Sequence, residues 1–207
     1  MSTNPWIDWV EQIRAIAQNG ITYSDEGFDL ERYHQLKVIA HAMTSALTGA
    51  PKDRVDHYFL PEKGYTTPKI DVRGGVFKND QILLVREKAD NCWSLPGGWG
   101  DIGHSPSTNV EREIQEESGY TAKAVKLVAI KDMHQYPYTP RCPHHIYKLI
   151  FLCELTGGQP DPDLEISEVG FFSLDQLPEL SVERTLPEDI RLLDQHRRDR
   201  SLSTRFD

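Results

Sequence analysis

Residues 95–120, LPGGWGDIGHSPSTNVEREIQEESGY, place a glycine-rich loop directly before a short helix. The loop over residues 95–103 holds four glycines, which let the backbone approach a phosphate or a metal ion closely. Ser105 followed by Pro106 has the order of a helix N-cap and first helical residue, and Gly119 is a typical left-handed terminator. The segment therefore predicts the end of a strand, a close-approach loop, a capped helix and a return to the sheet.

Three glutamates stand on one face of that helix. Glu113, Glu116 and Glu117 occupy positions i, i+3 and i+4, so one helical turn brings them together. Each like-charge pair costs roughly 0.2–0.5 kcal/mol in an isolated helix. In an arbitrary sequence, a solvated acidic face is the simpler interpretation. The glycine loop favours a functional one here, because Mg²⁺ binds carboxylate oxygens and shares them with substrate phosphates.

The composition limits the partners and compartments that we expect. A chain of 207 residues can hold one domain of ordinary size and a small accessory element. The net charge of −9 disfavours nucleic acid and anionic membranes as partners. The sequence contains no apolar stretch that would span a bilayer, and residues 1–11 lack a signal-peptide pattern. Cys92, Cys142 and Cys153 make no paired framework, so we expect a reducing, cytoplasmic location.

The N-terminal part carries two helical patterns. The first covers about residues 5–18 and stops at the Asn-Gly pair of residues 19–20, and the second covers about residues 29–48. Two helices cannot close a core alone, so this hairpin must pack on the rest of the chain or on another subunit. We expect an accessory unit over residues 1–60 that forms a homodimer, followed by a catalytic domain over residues 61–207.

Strand patterns begin after Pro68. Two of them, KIDVRGGVF and QILLVREK, precede the glycine loop, and AVKLVAIKDMH, HIYKLIFLCEL and VGFFSLDQL follow the glutamate helix. A last helix is predicted from Pro187 to Arg200, with Leu192 and Leu193 facing inward. This part of the chain is therefore predicted to contain two strands, the glutamate helix, three further strands and a last helix.

The segment from Gly98 to Tyr120 resembles the box of the Nudix hydrolase family, written G-x5-E-x7-R-E-U-x-E-E-x-G-U with U an apolar residue. With Gly98 as the first glycine, the positions that match are Arg112, Glu113, Ile114, Glu116, Glu117 and Gly119. His104 departs from the pattern, because it stands where the box has its early glutamate. That departure puts one structural contact or one coordination site in doubt. The resemblance covers residues 67–180, and the box is its most specific part.

The resemblance implies an α+β fold, the Nudix α/β/α sandwich with a mixed sheet, here preceded by an N-terminal two-helix hairpin. It also implies metal-dependent hydrolysis of a pyrophosphate bond, with Glu113, Glu116 and Glu117 as ligands of Mg²⁺ or Mn²⁺. Oxygen-only ligation by itself favours these ions over zinc. By the same resemblance, Glu116 and Glu117 act in catalysis and Arg112 orients a glutamate through a salt bridge. The alternative for Arg112 is a solvent-exposed side chain.

The pattern determines the remaining site residues less closely. The general base is a box glutamate or a carboxylate of a later loop, where Glu165 and Glu168 are candidates and exposed loop charges are the equal alternative. Arg73 and Arg86 lie on adjacent predicted strands and could bind substrate phosphates through both guanidinium edges. Surface salt bridges are the alternative for both arginines. Gly98 is expected to bring the loop backbone close to the substrate.

A loop rich in tyrosine and histidine follows the third predicted strand. Tyr136 could stack on a nucleotide base, although packing in a turn is the alternative for any one tyrosine. The group Cys142, His144 and His145, with His134 upstream, matches no strong zinc-ligand spacing. We therefore expect a substrate-facing loop at this position and not a metal site.

The box indicates the reaction and leaves the substrate open. The combination of the N-terminal hairpin with GYTTPKIDVRGGVF and LPGGWGDIG is similar to bacterial Nudix proteins that act on CDP-choline or ADP-ribose. Residues 136–138 occupy the position of markers for both ADP-ribose and diadenosine polyphosphate enzymes, so they do not decide between the two. A nucleotide-sensing Nudix domain that does not hydrolyse is a further alternative. The three box glutamates favour hydrolysis of a small nucleoside diphosphate derivative.

Overall fold

The computed structural model describes residues 5–59, 63–142, 144–162 and 164–207. The chain divides into two compact units, Met1–Pro68 and Lys69–Asp207. The domain boundary that we expected between residues 60 and 61 lies outside the described residues.

Three helices form the N-terminal unit, namely α1 (Pro5–Tyr23), α2 (Gly27–Thr48) and α3 (Lys52–Phe59). Helix α1 continues through Gly20, where the sequence predicted a stop. A Cβ at Gly20 would lie 2.4 Å from the ring of Tyr33 in α2, so this glycine permits close helix packing. Helix α2 ends at Gly49 in the left-handed conformation (φ 72°), as expected. Helix α3 was not predicted, because the second helical pattern of the sequence ends at about residue 48.

Few apolar side chains of this unit are buried, and many are exposed. Its buried apolar residues are Val10, Ala17, Ala40 and Val55. The larger group of exposed ones on α1 and α2 is Trp6, Trp9, Ile16, Tyr23, Phe28, Leu36, Val38, Ile39 and Leu47. The two tryptophans of α1, Trp6 and Trp9, are each about half exposed.

A mixed sheet forms the centre of the second unit. Its strands are β1 (Lys69–Lys78), β2 (Gln81–Glu87), β3 (Trp93–Ser94), β4 (Tyr120–Asp132), β5 (Ile146–Gly158), β6 (Ile166–Ser173) and β7 (Arg205–Phe206). They follow the order β3-β2-β1-β5-β4-β7, with β6 paired to β2. Strands β1 and β5 run parallel, whereas β1–β2, β2–β6 and β4–β5 run antiparallel. The predicted strands and their mixed sheet are confirmed.

Helices α4 (Pro106–Ser118) and α5 (Pro187–Arg198) cover this sheet through two separate hydrophobic clusters. Two neighbouring glycines of β1 allow these helices to pack closely on the sheet. A Cβ at Gly74 would lie 2.6 Å from Ile114 of α4, and a Cβ at Gly75 would lie 2.6 Å from Leu193 of α5. Side chains of successive strand residues point to opposite faces, so each glycine gives one helix room to approach. The α/β/α sandwich is confirmed, and none of the described helices has the length and apolar character to cross a membrane.

Candidate active site

The glycine loop is hydrogen-bonded to the edge of β1. The amide of Gly74 donates to the carbonyl of Pro96 (2.9 Å), and the amide of Val72 donates to the carbonyl of Gly98 (2.8 Å). Gly97 has a φ of 146°, and a Cβ there would meet the carbonyl oxygen of Val72 at 2.0 Å. Only glycine fits this position without movement of the strand or the loop. The loop therefore has a defined path between β1 and α4.

Helix α4 begins and ends where the sequence predicts. The hydroxyl of Ser105 accepts from the amide of Thr108 (3.2 Å), and Gly119 closes the helix in the left-handed conformation. Asn109 attaches the helix to the loop before it. Its side chain accepts from the amide of Asp101 (3.2 Å) and donates to the carbonyl of the same residue (3.3 Å).

The three box glutamates lie in three different environments. Glu117 is buried, and its Oε2 accepts from the amide of Gly97 (2.8 Å). Glu113 is half-buried, with Oε1 3.2 Å from Arg112 Nη2. Glu116 is exposed and lies 3.8 Å from Arg112 Nη1. The helix therefore presents one carboxylate to the interior, one at the margin and one to solvent.

Burial governs the ionisation of the inner glutamates. It raises the pKa of Glu117 to about 8, against the opposing effects of Arg73 and the Gly97 amide. The negative charges of Glu87 and Glu113 raise the pKa of Glu117 further. Burial also raises the pKa of Glu113, and Arg112 opposes that shift. A cation beside these two carboxylates would favour their charged forms.

Arg112 is a centre of charge contacts on α4. Besides Glu113 and Glu116, its guanidinium contacts the carboxylate of Asp101 in the glycine loop. Sequence reasoning missed Asp101, although it lies three residues before His104, where the box has its early glutamate. Asp101 supplies a carboxylate contact to Arg112 from another position in the same loop.

Arg73 lies in the interior and is engaged by protein groups. Its Nη2 is 2.8 Å from Asp71 Oδ2, and its Nη1 donates to the carbonyl of Leu95 (3.1 Å). The buried ammonium of Lys148 lies 3.3 Å from the other oxygen of Asp71. Sequence reasoning missed Asp71 and Lys148. They meet because parallel pairing of β1 and β5 places them opposite each other.

Glu87 is a further buried carboxylate that the sequence pattern did not reveal. It lies at the end of β2, where its Oε1 accepts from the hydroxyl of Ser94 (3.3 Å) and is 3.4 Å from Arg184 Nε. Its charge acts on both Glu117 and Arg73. The sequence QILLVREK could have indicated this carboxylate, because an apolar strand pattern there ends in charged residues that include Glu87.

The other predicted arginine and the loop glutamates meet at the β2–β6 pair. Arg86 forms an ion pair with Glu168, which is its cross-strand partner, and its Nε donates to the carbonyl of Asn91 (3.1 Å). Glu165 is exposed, and its carbonyl accepts from the amide of Lys88 (3.0 Å). This arrangement brings Arg86 and Glu168 together and puts Glu165 near the end of β2.

Tyr136 lies at another edge of the sheet. Its hydroxyl donates to Asp207 Oδ1 (2.6 Å), and the ammonium of Lys131 lies 4.4 Å from the centre of its ring. Burial, followed by Asp207, raises the pKa of Tyr136 to about 12. Tyr138 is buried and donates to Asp189 (2.8 Å), so packing accounts for that residue.

Comparison with protein families settles the class of the chain. Residues 68–195 match the NUDIX domain. The chain belongs to the Nudix family. It is a Nudix pyrophosphohydrolase, and residues 4–59 match a second domain, described as a UDP-X-like, N-terminal oligomerisation domain.

Two relatives of this Nudix chain match it over nearly its whole length. YjhB of Bacillus subtilis (strain 168), provisionally named an ADP-ribose pyrophosphatase, is 42% identical over 202 residues, which are 98% of this chain and 97% of YjhB. The crystal structure of a UDP-X diphosphatase is 33% identical with a TM-score of 0.63, and the alignment covers 100% of both chains. An ADP-ribose pyrophosphatase of Streptococcus suis 89-1591 is 42% identical with a TM-score of 0.63, over 68% of this chain and 100% of that one.

Nudix hydrolases generally use divalent metal ions, and the donor set of the box helix fits a hard cation. All three side chains offer carboxylate oxygens, and the missing Cβ of Gly98 leaves room beside Glu113, whose Oε2 would lie 2.9 Å from it. The three carboxylates do not form a closed group as they stand. Among the described residues, the group of ligand atoms that all lie within 4.8 Å of one another belongs to Asp132, His134 and His145. Closing the glutamates around one ion therefore requires side-chain rotation.

Proposed function

We propose that this Nudix enzyme hydrolyses the pyrophosphate bond of a nucleoside diphosphate derivative, with ADP-ribose as the first candidate and CDP-choline as the second. One observation carries the proposal: a buried glutamate, Glu117, is hydrogen-bonded to the glycine loop beside Glu113 and Arg73. The similarity to proteins named ADP-ribose pyrophosphatase supports the first candidate. The similarity to a UDP-X diphosphatase supports the wider class of nucleoside diphosphate derivatives.

Glu113, Glu116 and Glu117 are the residues that would hold Mg²⁺ or Mn²⁺. When bound, such an ion neutralises phosphate oxygens and lowers the barrier to attack by water. The protein itself keeps the carboxylates in place. The Gly97 amide fixes one oxygen of Glu117, and Arg112 contacts both Glu113 and Glu116. These contacts restrict the side-chain conformations of the three glutamates before an ion binds.

Arginines have two distinct roles in this proposal. Arg73 is a positioning residue, because its guanidinium already donates to Asp71 and Leu95 and its charge faces Glu117. Its positive charge lowers the pKa of Glu117, against the larger effect of burial. Arg86 is half-buried at the end of β2, and we propose that it binds a substrate phosphate by exchanging Glu168 for that anion.

We propose that the proton of the attacking water is taken by an exposed carboxylate. Glu116 is exposed on α4, and Glu165 is exposed beside the end of β2, so both are accessible to solvent water. Glu165 is the proposed base in the later loop, and Glu116 is both a metal ligand and the alternative base. Gly98 gives the loop backbone close access to Glu113. We propose that Tyr136 contacts the base of the nucleotide.

We also propose that the chain is a homodimer and acts in the cytoplasm on a small molecule. The exposed apolar side chains of α1 and α2 support the dimer, as does the match to an N-terminal oligomerisation domain. Removal of that apolar surface from water by a second copy would stabilise the pair.

A substrate panel tests the reaction. Purified protein is incubated with ADP-ribose, CDP-choline, a UDP-linked derivative, a diadenosine polyphosphate and nucleoside triphosphates, in Mg²⁺, in Mn²⁺ or in EDTA. We expect ADP-ribose to give AMP and ribose 5-phosphate with either metal and no product in EDTA. Consumption of nucleoside triphosphates alone, or of no compound, would contradict the proposal.

Two glutamate variants on one helix provide the matched control. We expect Glu117→Gln to lower turnover by at least ~100-fold, since Gln can still accept from Gly97 but carries no charge for an ion. Glu111→Gln changes a carboxylate of the same helix that instead contacts Lys123 and the Ala124 amide, and its turnover should match the wild type. Equal turnover in Glu117→Gln and the wild type would remove Glu117 from the site.

A further inference from the structure

A second group of metal-ligand side chains lies where β4 ends and β5 begins. Asp132 is the last residue of β4, His134 lies in the 3-10 turn Met133–Gln135, and His145 directly precedes β5. The two strands are antiparallel neighbours, with Asp132 opposite Tyr147. The connecting loop therefore returns to its own starting point. One ligand atom from each of the three side chains lies within 4.8 Å of the others.

The distance between two of these ligand atoms matches that of two ligands on one ion. His145 Nε2 is 3.2 Å from Asp132 Oδ1. That nitrogen is buried, and it has no hydrogen-bond partner of normal geometry among the described residues. Zinc–ligand bonds of about 2.0–2.2 Å in a tetrahedral site put neighbouring ligand atoms roughly 3.3–3.6 Å apart. The two atoms are thus close without being aligned as donor and acceptor, as expected of ligands that share a cation.

Neighbouring groups hold two of the side chains in position. Asp132 Oδ1 accepts from the amide of His134 (3.0 Å), and Oδ2 accepts from the side chain of Gln135 (3.3 Å). His134 Nε2 lies 3.2 Å from the carbonyl of Cys142. A hydrogen bond between one ring nitrogen and a carbonyl is the usual second contact of a metal-bound histidine.

We propose that Asp132, His134 and His145 bind a divalent cation of borderline softness, of the Zn²⁺ class, which joins the two ends of the loop between β4 and β5. Two imidazoles and one carboxylate suit this class, whereas Mg²⁺ prefers oxygen ligands alone. A zinc ion held by three protein side chains takes a water molecule as its fourth ligand. His134 needs a shift of at most about 1.5 Å to complete the set, given the ligand spacing above.

This proposal reverses the expectation from the sequence. The spacing of Cys142, His144 and His145 with His134 matches no strong zinc-ligand pattern, so the sequence indicated no metal site. The structure brings in Asp132, which is thirteen residues from His145 in sequence and adjacent to it through strand pairing. The competing interpretation is a helix-capping aspartate that also attracts a protonated histidine. That arrangement would bind no zinc.

Zinc binding to the full-length chain tests the proposal independently of hydrolysis. Protein stripped with a chelator is titrated with Zn²⁺ against a competing metal indicator, and with Co²⁺ while visible absorption is recorded. Variants are prepared in the Glu117→Gln background to weaken the glutamate site. We expect one equivalent of Zn²⁺ to bind in the presence of millimolar Mg²⁺, and Co²⁺ to give the absorption bands of a four- or five-coordinate site.

Histidine variants identify the ligands. His145→Asn should weaken Zn²⁺ binding by at least ~100-fold, since even loss of an outer-shell partner costs 10–100-fold. His34→Asn, at an exposed position of α2, is the matched control and should bind Zn²⁺ as its parent does. Zn²⁺ should raise the melting temperature of the control and not that of His145→Asn. His134→Gln serves as a second variant if His145→Asn does not fold.

The outcomes separate this site from the glutamate site. Unchanged Zn²⁺ affinity in both histidine variants would overturn the proposal, as would the absence of any binding. Loss of the zinc site in Glu117→Gln alone would assign the ion to the glutamates and also overturn it. Failure of the substrate panel would leave the zinc measurements unaffected, because binding is read by absorption and melting temperature.

Discussion

At the scale of single residues, the main feature of this enzyme is the buried carboxylate of Glu117. It has both a positive neighbour, Arg73, and negative ones. Glu117 accepts from the Gly97 amide and faces Arg73, yet its burial favours the protonated form. A group whose pKa is raised in the folded state gives stability that is lost as pH rises. For Glu117 this stability is lost as pH rises from the usual glutamate pKa of 4.5 to the raised pKa of about 8.

This shift gives a pH prediction for the metal-free protein. In EDTA, the free energy of unfolding of the wild type should fall between pH 5 and pH 8 relative to Glu117→Gln, by a few kcal/mol at most. Mg²⁺ should reduce that difference, because a cation favours the ionised carboxylate. Urea unfolding of both proteins at several pH values measures it. A difference between the two proteins that does not vary with pH would contradict the predicted shift.

Asp101 gives a second prediction at this scale. Its ion pair with Arg112 is partly exposed, so Asp101→Asn should change the free energy of unfolding by less than about 1 kcal/mol. Because Arg112 also contacts Glu113 and Glu116, the variant should need more Mg²⁺ for half-maximal activity and lose roughly 10-fold in turnover.

Two comparisons interpret that result. Asp101→Glu retains the charge and should recover most of the Mg²⁺ response. Glu188→Gln removes a partner of Arg191 in an exposed pair on α5 and should leave the response unchanged. If Asp101→Asn responds to Mg²⁺ as the wild type does, Asp101 has no positioning role.

Some site residues could be predicted from their spacing along one helix. Others could not, because they meet only through strand pairing. Glu113, Glu116 and Arg112 are neighbours because 3.6 residues make a turn, so sequence alone brings them together. Asp71 and Lys148 are 77 residues apart and become neighbours only through the register of β1 and β5. No local pattern carries that information, which is why the buried charge network was not predicted.

At the scale of elements, glycines determine how closely the loop and the helices approach β1. Gly97 combines a φ of 146° with a Cβ position 2.0 Å from the carbonyl of Val72. Gly103 also has a positive φ (89°), but its Cβ would have no atom within 4 Å. A side chain at Gly103 would therefore meet only backbone strain, whereas one at Gly97 would also collide with β1.

Alanine substitutions test that distinction. Gly103→Ala should cost roughly 1–2 kcal/mol, the penalty of a left-handed conformation. Gly97→Ala should cost more, at least ~3 kcal/mol, because the loop must also move away from β1. It should also lower turnover, since the Gly97 amide would leave Glu117. Unfolding in denaturant and turnover with the preferred substrate measure both effects, and equal costs at the two positions would contradict the collision.

Helix boundaries could be predicted where a glycine ends the helix. They could not be predicted where a glycine inside the helix allows a neighbouring helix to pack closely. Gly49 and Gly119 are left-handed C-caps, as their positions indicated. Gly20 has the same sequence appearance but lies inside α1, because the ring of Tyr33 occupies the space of its side chain. Whether a glycine ends a helix or admits a neighbour depends on the partner helix, and sequence periodicity does not include that partner.

At the scale of the whole molecule, the N-terminal unit buries little of its apolar surface by itself. Ile16 of α1 is 61% exposed and Val38 of α2 is 55% exposed, within a larger set of exposed apolar side chains. Such a set on one pair of helices is typical of a surface that another chain covers. This unit also matches a domain described by oligomerisation. A second copy is therefore the partner that we expect.

A charge placed in that surface tests the homodimer. Ile16→Glu would bury an unpaired carboxylate between the two copies, which is strongly unfavourable, so we expect the dimer to dissociate. Gln12→Glu adds the same charge one helical turn earlier at an exposed polar position and is the matched control. Light scattering should give twice the chain mass of 23.7 kDa for the wild type and the control, and a lower mass for Ile16→Glu. A wild type that remains monomeric at micromolar concentration would refute the dimer, and a dimeric Ile16→Glu would place its interface away from this part of α1.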